Sequence, residues 1–558
     1  MKLLLIQPPI QDFYETDIRL QPIGLCYLKS AVQKYLPQVE VLIRDYHGGY
    51  PRRSIPLPAP LRYLQEYYPV QDKSPFSTFY QYYHFGQNFD AIEAEIIALK
   101  PDAVGISALF TPYYREALEI AQRIKKRVQI PIIMGGSHVS AVPQSILKHT
   151  AVDYVITGEG EKPLVMWLKY LMDEIKLDEV PNLGYKQQGQ LLFNASTDNY
   201  PIDELPLPTL EDFSLTRYQF QGRALAFMIT SRSCPHKCSF CSVHTTFGHN
   251  YRRRTIANVL EEIELRYQQG YRVIDFEDDN LTYYKNDFKH LCRELIQRFP
   301  LKDLQLVAMN GISYISLDDE LLDLMRQAGF THLNLALVSS DKTVRESTKR
   351  PHTIKAYLNV VDKAFALRFQ ITSYQILGLP NESLASMVQT LVFNAQLPVL
   401  LGASLFYLTP NSPIARTHIF TEDDFLKSRL TAMAFETMHF KREDLYTLFI
   451  TTRIINFLKG FELEKSTPLA ELFELPGYDP RTQWGLQLLS LLNKTGTLHF
   501  WTKRGALPNS KFDVALFYHV MAQLPEIACL NGSMILCGAY WKKAVFSPMD
   551  SLYSNPAL

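Results

Sequence analysis

Short, continuously apolar runs alternate with segments of helical period from residue 3 to about residue 410. That alternation confines the chain to an α/β architecture. A run of four to eight apolar residues reads as a strand buried on both faces, and parallel strands of that kind need helical crossovers between them. LLLIQ, VEVLIRD, DAVGIS, IPIIMGG and VDYVITGEGE form a first series, with helices at Pro22 to about Tyr35, at REALEIAQRIKKRV and near Pro163. The expected product is an open, doubly wound sheet that binds ligands at the carboxyl ends of its strands. A second series runs ALAFMITS, YRVIDFEDD, LQLVAMNG, HLNLALV and FQITSYQILG, with helices near 255–270, 286–298, 318–328 and 354–367. It predicts a complete or partial (β/α) barrel.

The boundaries follow from where the alternation stops. Residues 1–165 form the first unit, interrupted at about 51–89 by a proline- and tyrosine-rich insertion. Such an insertion is either a lid or a surface excursion packed on a neighbouring unit. Residues 166–220 read as a linker containing a hairpin at NLGYKQQGQLLF. Residues 221–425 hold the second unit, and 426–558 are mostly helical, with short strands at TLHFWT and SMILCGAYW. A length of 558 residues fits two to four domains.

Formal net charge is zero, so there is no general electrostatic case for a nucleic-acid partner. No apolar run reaches the roughly 18 residues of a transmembrane segment. MKLLLIQPPI is broken by Pro8 and Pro9 and reads as a strand and turn rather than a signal peptide. Seven cysteines without a dense framework indicate a reducing, cytoplasmic setting. Cys26, Cys292, Cys529 and Cys537 are isolated and read as buried thiols. The 12% aromatic content fits large cores or pockets for flat cofactors.

The other three cysteines lie together in SRSCPHKCSFCSV: Cys234, Cys238 and Cys241, spaced Cys-x3-Cys-x2-Cys, with Phe240 before the third. Thiolate is the ligand that iron–sulfur clusters favour, and three ligands on a four-iron cluster leave one iron open. Zinc is the alternative, with His236 or His244 as a fourth ligand, although no second Cys-x2-Cys pair is present.

The cysteine spacing resembles the radical S-adenosylmethionine (SAM) superfamily. The first unit resembles a flavodoxin-like cobalamin-binding domain, through three signatures that each follow a predicted strand. Asp45-Tyr-His47-Gly48-Gly49-Tyr50 is similar to the family's Asp-x-His-x-x-Gly, Ser107-Ala-Leu109 to Ser-x-Leu, and Gly135-Gly136 to the later double glycine. Tyr50 stands where the third glycine of the first signature belongs. Pro22-Ile-Gly24-Leu and Gly158-Glu159-Gly160-Glu161 resemble further segments of cobalamin-dependent radical SAM proteins. The resemblance implies cobalamin contacts from Asp45, His47, Ser107, Leu109, Gly135 and Gly136, with Asp45 orienting the ring of a cobalt-ligating His47 or with His47 only part of the pocket.

Over about 225–410 the resemblance is to the radical SAM barrel, a partial (β/α) barrel of the TIM type. It implies a [4Fe–4S] cluster on Cys234, Cys238 and Cys241. SAM contacts are expected from Phe240, from Glu277 and Asp278 in the acidic run ending at Asn280, from Ser339, and from Gly378 in the stretch Ile376 to Glu382. Two departures stand out. Val338 occupies the usual place of a SAM-holding Glu, and Ser233 that of a glycine. His244, His249 and Arg252-Arg253-Arg254 read as a solvated helix start or as contacts for an anionic substrate.

A corrin domain followed by such a barrel implies radical methylation of an unactivated carbon of a small-molecule substrate, by way of a 5′-deoxyadenosyl radical and methylcobalamin. Other implied readings are a rearrangement, ring contraction or oxidative cyclisation with the same cofactors, and a non-catalytic corrinoid sensor. The resemblance also implies an external one-electron reductant such as a flavodoxin or ferredoxin.

Overall fold

β1 (Lys2–Gln7) sits inside a seven-stranded sheet and pairs in parallel with β2 (Glu40–Asp45) on one side and β3 (Ala103–Ser107) on the other. β4 (Ile132–Gly135) and β5 (Tyr154–Ile156) continue in parallel, and β6 (Leu183–Gln187) and β7 (Gln190–Phe193) close the edge antiparallel. The order β2-β1-β3-β4-β5 is the flavodoxin-like one, and it reverses direction between β1 and β3. This computed structural model describes residues 1–15, 21–300, 303–350, 352–538 and 540–541. The hairpin expected in a linker is thus the edge of the first sheet, so that sheet extends past residue 165.

Helices cover both faces of the sheet because their apolar residues fall on one stripe. In Tyr114–Arg127, Ala117, Leu118, Ile120, Ala121 and Ile124 are buried, while Lys125–Arg127 stand at the carboxyl end of the helix dipole.

The second unit is built from β8 (Arg223–Met228), β9 (Val273–Phe276) and β10 (Gln305–Val307), then β11 (His332–Val338), β12 (Gln370–Leu377) and β13 (Leu400–Leu405), each set parallel. Isolated parallel bridges, Leu306 to Phe330 and Ile312 to Leu335, join the two sets in sequence order. The result is an open partial barrel. Its helices start where side chains cap them: Thr255 before Ile256–Gln268, Asp318 before Asp319–Ala328 and Ser383 before Leu384–Ala395.

The carboxy-terminal region packs helices Arg442–Lys459, Pro480–Thr495 and Val514–Ala522 with two small sheets. The proline- and tyrosine-rich insertion belongs to this core. Leu61, Leu64, Tyr67, Tyr68 and Phe76 are buried in one cluster with Leu445, Leu448 and Leu488. Hydroxyls of Tyr63 and Tyr68 donate to the carbonyls of Ala432 and Thr431 at 2.6 and 3.0 Å. Burial of side chains this large contributes about 1.5–3 kcal/mol each, so the insertion clasps the far end of the chain. Among the described residues no helix is long and apolar enough to cross a membrane.

Candidate functional site

After β8 the chain forms a loop closed at its base by a short antiparallel pairing of Ser231–Arg232 with Arg252–Arg253. Cys234, Cys238 and Cys241 lie inside it. Ser233 enters the loop at φ +73°, a left-handed conformation that a side chain rarely takes. Its hydroxyl donates to the Gly248 carbonyl at 2.7 Å, which explains how serine stands in for glycine here. The loop is anchored across the barrel by Ser239 N–H to the Thr348 carbonyl and Ile414 N–H to the Ser239 carbonyl.

Two N–H donors reach the sulfurs. Asn280 Nδ2 lies 3.6 Å from Cys234 Sγ, and Arg350 Nη1 lies 3.7 Å from Cys238 Sγ. Donors of this kind stabilise thiolate charge. Burial pushes the free thiol of Cys241 up to about 11. Three thiols in one loop with an amide and a guanidinium on their sulfurs suit an iron–sulfur cluster. A single zinc fits poorly. Among the described residues no three His, Cys, Asp or Glu side chains converge as one metal ion requires. His244 directs Nδ1 at the Gly248 carbonyl and Nε2 at the His236 carbonyl, at 2.9 and 2.8 Å, so neither ring nitrogen is offered to a metal.

Above the switch point of the first sheet is a cavity of about 250 Å³, lined by Gly105, Ser107, Gly135, Gly136, Gly160 and Arg232 among others. Two of its glycines leave little room for a side chain. A Cβ on Gly105 would come within 2.8 Å of Leu5 Cδ2, and one on Gly136, at φ +114°, within 2.7 Å of the Ala108 carbonyl. A second cavity of about 470 Å³ lies between this sheet and the cysteine loop, with Leu109, Phe110, Cys241, Asp279, Tyr407 and Arg429 in its wall. Leu109, Ser137, Thr246 and Phe247 line both, so one cleft runs from the glycine-lined strand ends to Cys241. Leu109 and Phe110 are 40% and 45% exposed, an apolar face open to that cleft.

A buried ion network joins the units along this cleft. Arg232 Nη2 lies 2.5 Å from Glu161 Oε1, and Arg232 also meets Glu159, which binds Arg252 in turn. Opposite, Arg429 is buried against Asp12 and donates to the carbonyls of Gln11, Pro112 and Leu426, pinning the carboxy-terminal segment to the first unit.

Comparison with known families agrees with this geometry. Residues 79–166 match the B12 binding domain and residues 228–393 match the radical SAM superfamily. The chain pairs a B12 binding domain with a radical SAM domain, the arrangement of cobalamin-dependent radical SAM enzymes. It is similar to the cytidylyl-2-hydroxyethylphosphonate methyltransferase of Streptomyces wedmorensis, 25% identical over 68% of this chain and 73% of that protein. Its fold is similar to the radical SAM methyltransferase TsrM of Kitasatospora setae, solved with cobalamin and a [4Fe-4S] cluster. The TM-score is 0.57 at 17% identity, covering 74% of this chain and 73% of that one. It is likewise similar to the cobalamin-dependent radical enzyme OxsB with aqua-cobalamin, TM-score 0.60 at 14% identity, over 88% and 71% of the two chains.

Within this radical SAM enzyme the expected site residues separate. Ser107, Leu109, Gly135 and Gly136 come together on the first cavity. Asp45 and His47 are not among the residues lining either cavity. The Asp45 carboxylate accepts from the backbone N–H of His47 and Gly48, from Arg217 Nε at 3.2 Å and from the Tyr218 hydroxyl. It ties β2 to the segment that leads into the second unit, and Arg217 and Tyr218, far away in sequence, decide that.

In the acidic run the roles also divide. Asp278 is buried and accepts from the Ser231 and Thr230 hydroxyls at 2.5 and 2.7 Å, so it braces the base of the cysteine loop. The Glu277 N–H donates to the Met228 carbonyl. Asp279, not one of the expected SAM contacts, faces the cavity shared with Cys241. Desolvation first, and the charge of Asp278 second, push its carboxyl up to about 7. Strict alternation along an extended segment would have marked Asp279 as facing away from Asp278.

Phe240 packs against an apolar cluster of Val338, Val344, Leu379 and Phe406. Val338 sits at φ +71°, where the register between β11 and β12 shifts, an outlier for a β-branched residue. Ser339 is buried with its hydroxyl 3.1 Å from Thr390 Oγ1, and Gly378 turns at φ +89° against Leu445. Nearby, the Glu382 carboxyl is buried and pushed up to about 8 by desolvation, despite accepting from Leu379 N–H.

Proposed function

We propose that this enzyme methylates an unactivated carbon of a small molecule, using a [4Fe–4S] cluster, SAM and cobalamin. The observation that carries the reading is the single cleft joining the glycine-lined strand ends of the first sheet to Cys241. Cys234, Cys238 and Cys241 would hold the cluster. Gly105, Ser107, Gly135 and Gly136 would admit the nucleotide tail of cobalamin, and Leu109 and Phe110 would meet its ring. Together these cofactors supply a carbon-centred radical and a transferable methyl group.

The chain's own residues do the rest. Asn280 and Arg350 direct N–H groups at the thiolates. Phe240 and its apolar neighbours exclude water beside the loop. Tyr407, Asp279 and Arg429 form the wall that a substrate would meet between the cofactors. The clasp of insertion and carboxy-terminal region shuts the far side of that wall. A cytoplasmic setting and an external reductant complete the reading.

Anaerobic reconstitution with iron, sulfide and cobalamin, followed by incubation with methyl-labelled SAM and cell extract, tests it. Label in a new small molecule, with 5′-deoxyadenosine and S-adenosylhomocysteine, is the expected result. 5′-Deoxyadenosine without label transfer would replace methylation by rearrangement or cyclisation.

A further inference from the structure

The helices Arg442–Lys459 and Pro480–Thr495 meet the proline- and tyrosine-rich insertion at an open cavity of about 430 Å³. It shares no lining residue with either cavity of the cleft. Two guanidiniums, Arg453 and Arg481, stand in its wall beside Pro75 of the insertion. Arg453 is half-buried and forms no hydrogen bond or ion pair among the described residues; its Nε is shut from solvent without an acceptor. Behind it the guanidinium lies over the Phe449 ring, 5.1 Å from the centroid. The Arg481 side chain commits one N–H, to the Ser74 carbonyl at 3.4 Å.

The other polar groups nearby are already engaged. Asp479, also in the wall, accepts from the N–H groups of Arg481 and Thr482, at 2.9 and 3.2 Å, and from the Thr482 hydroxyl, so it caps its own helix. Asn456 exchanges both side-chain hydrogen bonds with the backbone of Leu401. Asp72, next to the insertion's Ser74, accepts from the N–H and hydroxyl of Ser74 and from the Trp501 N–H. Burial first holds the Arg453 guanidinium below its ordinary value, and the like charge of Arg481 lowers it by more than the charge of Asp72 raises it. A guanidinium drawn out of water needs acceptors, and here the chain supplies none.

We propose that Arg453 and Arg481 bind a phosphate group, free or carried on a small phosphate ester. Planar guanidinium forks match phosphate oxygens in charge and in the spacing of their donors. The anion supplies the acceptors that Arg453 lacks and relieves the repulsion between the two cations. It bridges the helix Arg442–Lys459 to the start of Pro480–Thr495, against Ser74 and Pro75, and so tightens the clasp between insertion and carboxy-terminal region. The inference goes beyond the methylation reading and does not depend on it.

Calorimetric titration of inorganic phosphate into the iron- and cobalamin-loaded enzyme, at constant ionic strength, is the test. Saturable binding is expected, and Arg453→Met and Arg481→Gln should each weaken it about tenfold or more. Phosphate should also raise the thermal midpoint of the parent and leave that of the double variant unmoved. Without phosphate, Arg453→Met should be no less stable than the parent, because it removes a charge that has no acceptor. Should that variant fold poorly, Arg481→Gln, at an exposed helix start, decides. Glucose 6-phosphate separates the two sources: tighter binding than phosphate supports an ester, and equal or weaker binding supports free phosphate. No saturable binding in the parent, or parent-like affinity in both variants, would overturn the proposal. Methyl transfer without phosphate binding would remove this site and leave the methylation reading standing.

Discussion

Arg232, two residues before the first loop cysteine, forms a buried ion pair with Glu161 at the carboxyl end of the flavodoxin-like sheet, 2.5 Å apart. Both side chains are about 5% exposed, so water screens little of the pair. The contact fixes the cysteine loop against the wall of the first cavity.

Breaking that pair from one side should be costly, because a buried charge is left without its partner. Arg232→Met is expected to destabilise the fold by about 3–5 kcal/mol. Chemical denaturation measures the loss. In a double-mutant cycle with Glu161→Gln the two costs should not add, and additive costs would show that the residues are not coupled.

Gly136 has no room for a side chain, with φ +114° and the Ala108 carbonyl 2.7 Å from any Cβ. Gly136→Val should abolish cobalamin binding, read by absorbance titration, while iron content after reconstitution stays at the parent level. Retained cobalamin affinity would remove the double glycine from the site.

Asn280→Leu removes the N–H that points at Cys234 Sγ. Without that donor, negative charge on the thiolate is less stabilised, and the reduction potential of the reconstituted cluster should move to a more negative value. Potentiometric titration followed by electron paramagnetic resonance reads the shift. An unchanged potential would mean that the amide does not contact the cluster's sulfur.

Glu382 is held neutral, its carboxyl raised from 4.5 to about 8 by burial. The folded state binds the proton that the unfolded state releases between those values. Its contribution to stability is complete below about pH 4.5 and is lost as pH rises toward about 8. Glu382→Gln keeps the shape and removes the titration. Urea unfolding at pH 5.5 and 8.0 should show a smaller decline in the variant than in the parent.

Much of this architecture was legible in the chain. Continuous apolar runs such as DAVGIS need burial on both faces, and helices such as Tyr114–Arg127 need one apolar stripe, so strand and helix order followed from local pattern. Glycines 135 and 136 and the three cysteines were legible for the same reason, since their meaning lies in spacing and backbone shape.

The aim of side chains was not legible. Asp45 and His47 matched a sequence pattern, yet Arg217 and Tyr218 draw the Asp45 carboxylate to the segment that connects the two units. Asp278 and Asp279 are neighbours, and only the positions of Thr230, Ser231 and the cavity make one a brace and the other a cavity wall. The insertion was open to two readings until its tyrosines met the carbonyls of Thr431 and Ala432. Local sequence determined the elements, the cysteine loop and the glycine-lined strand ends, because backbone preferences and hydrophobic period act within a few residues. The tertiary structure alone decided which carboxylates face the cleft and what closes it, because those outcomes depend on partners hundreds of residues away.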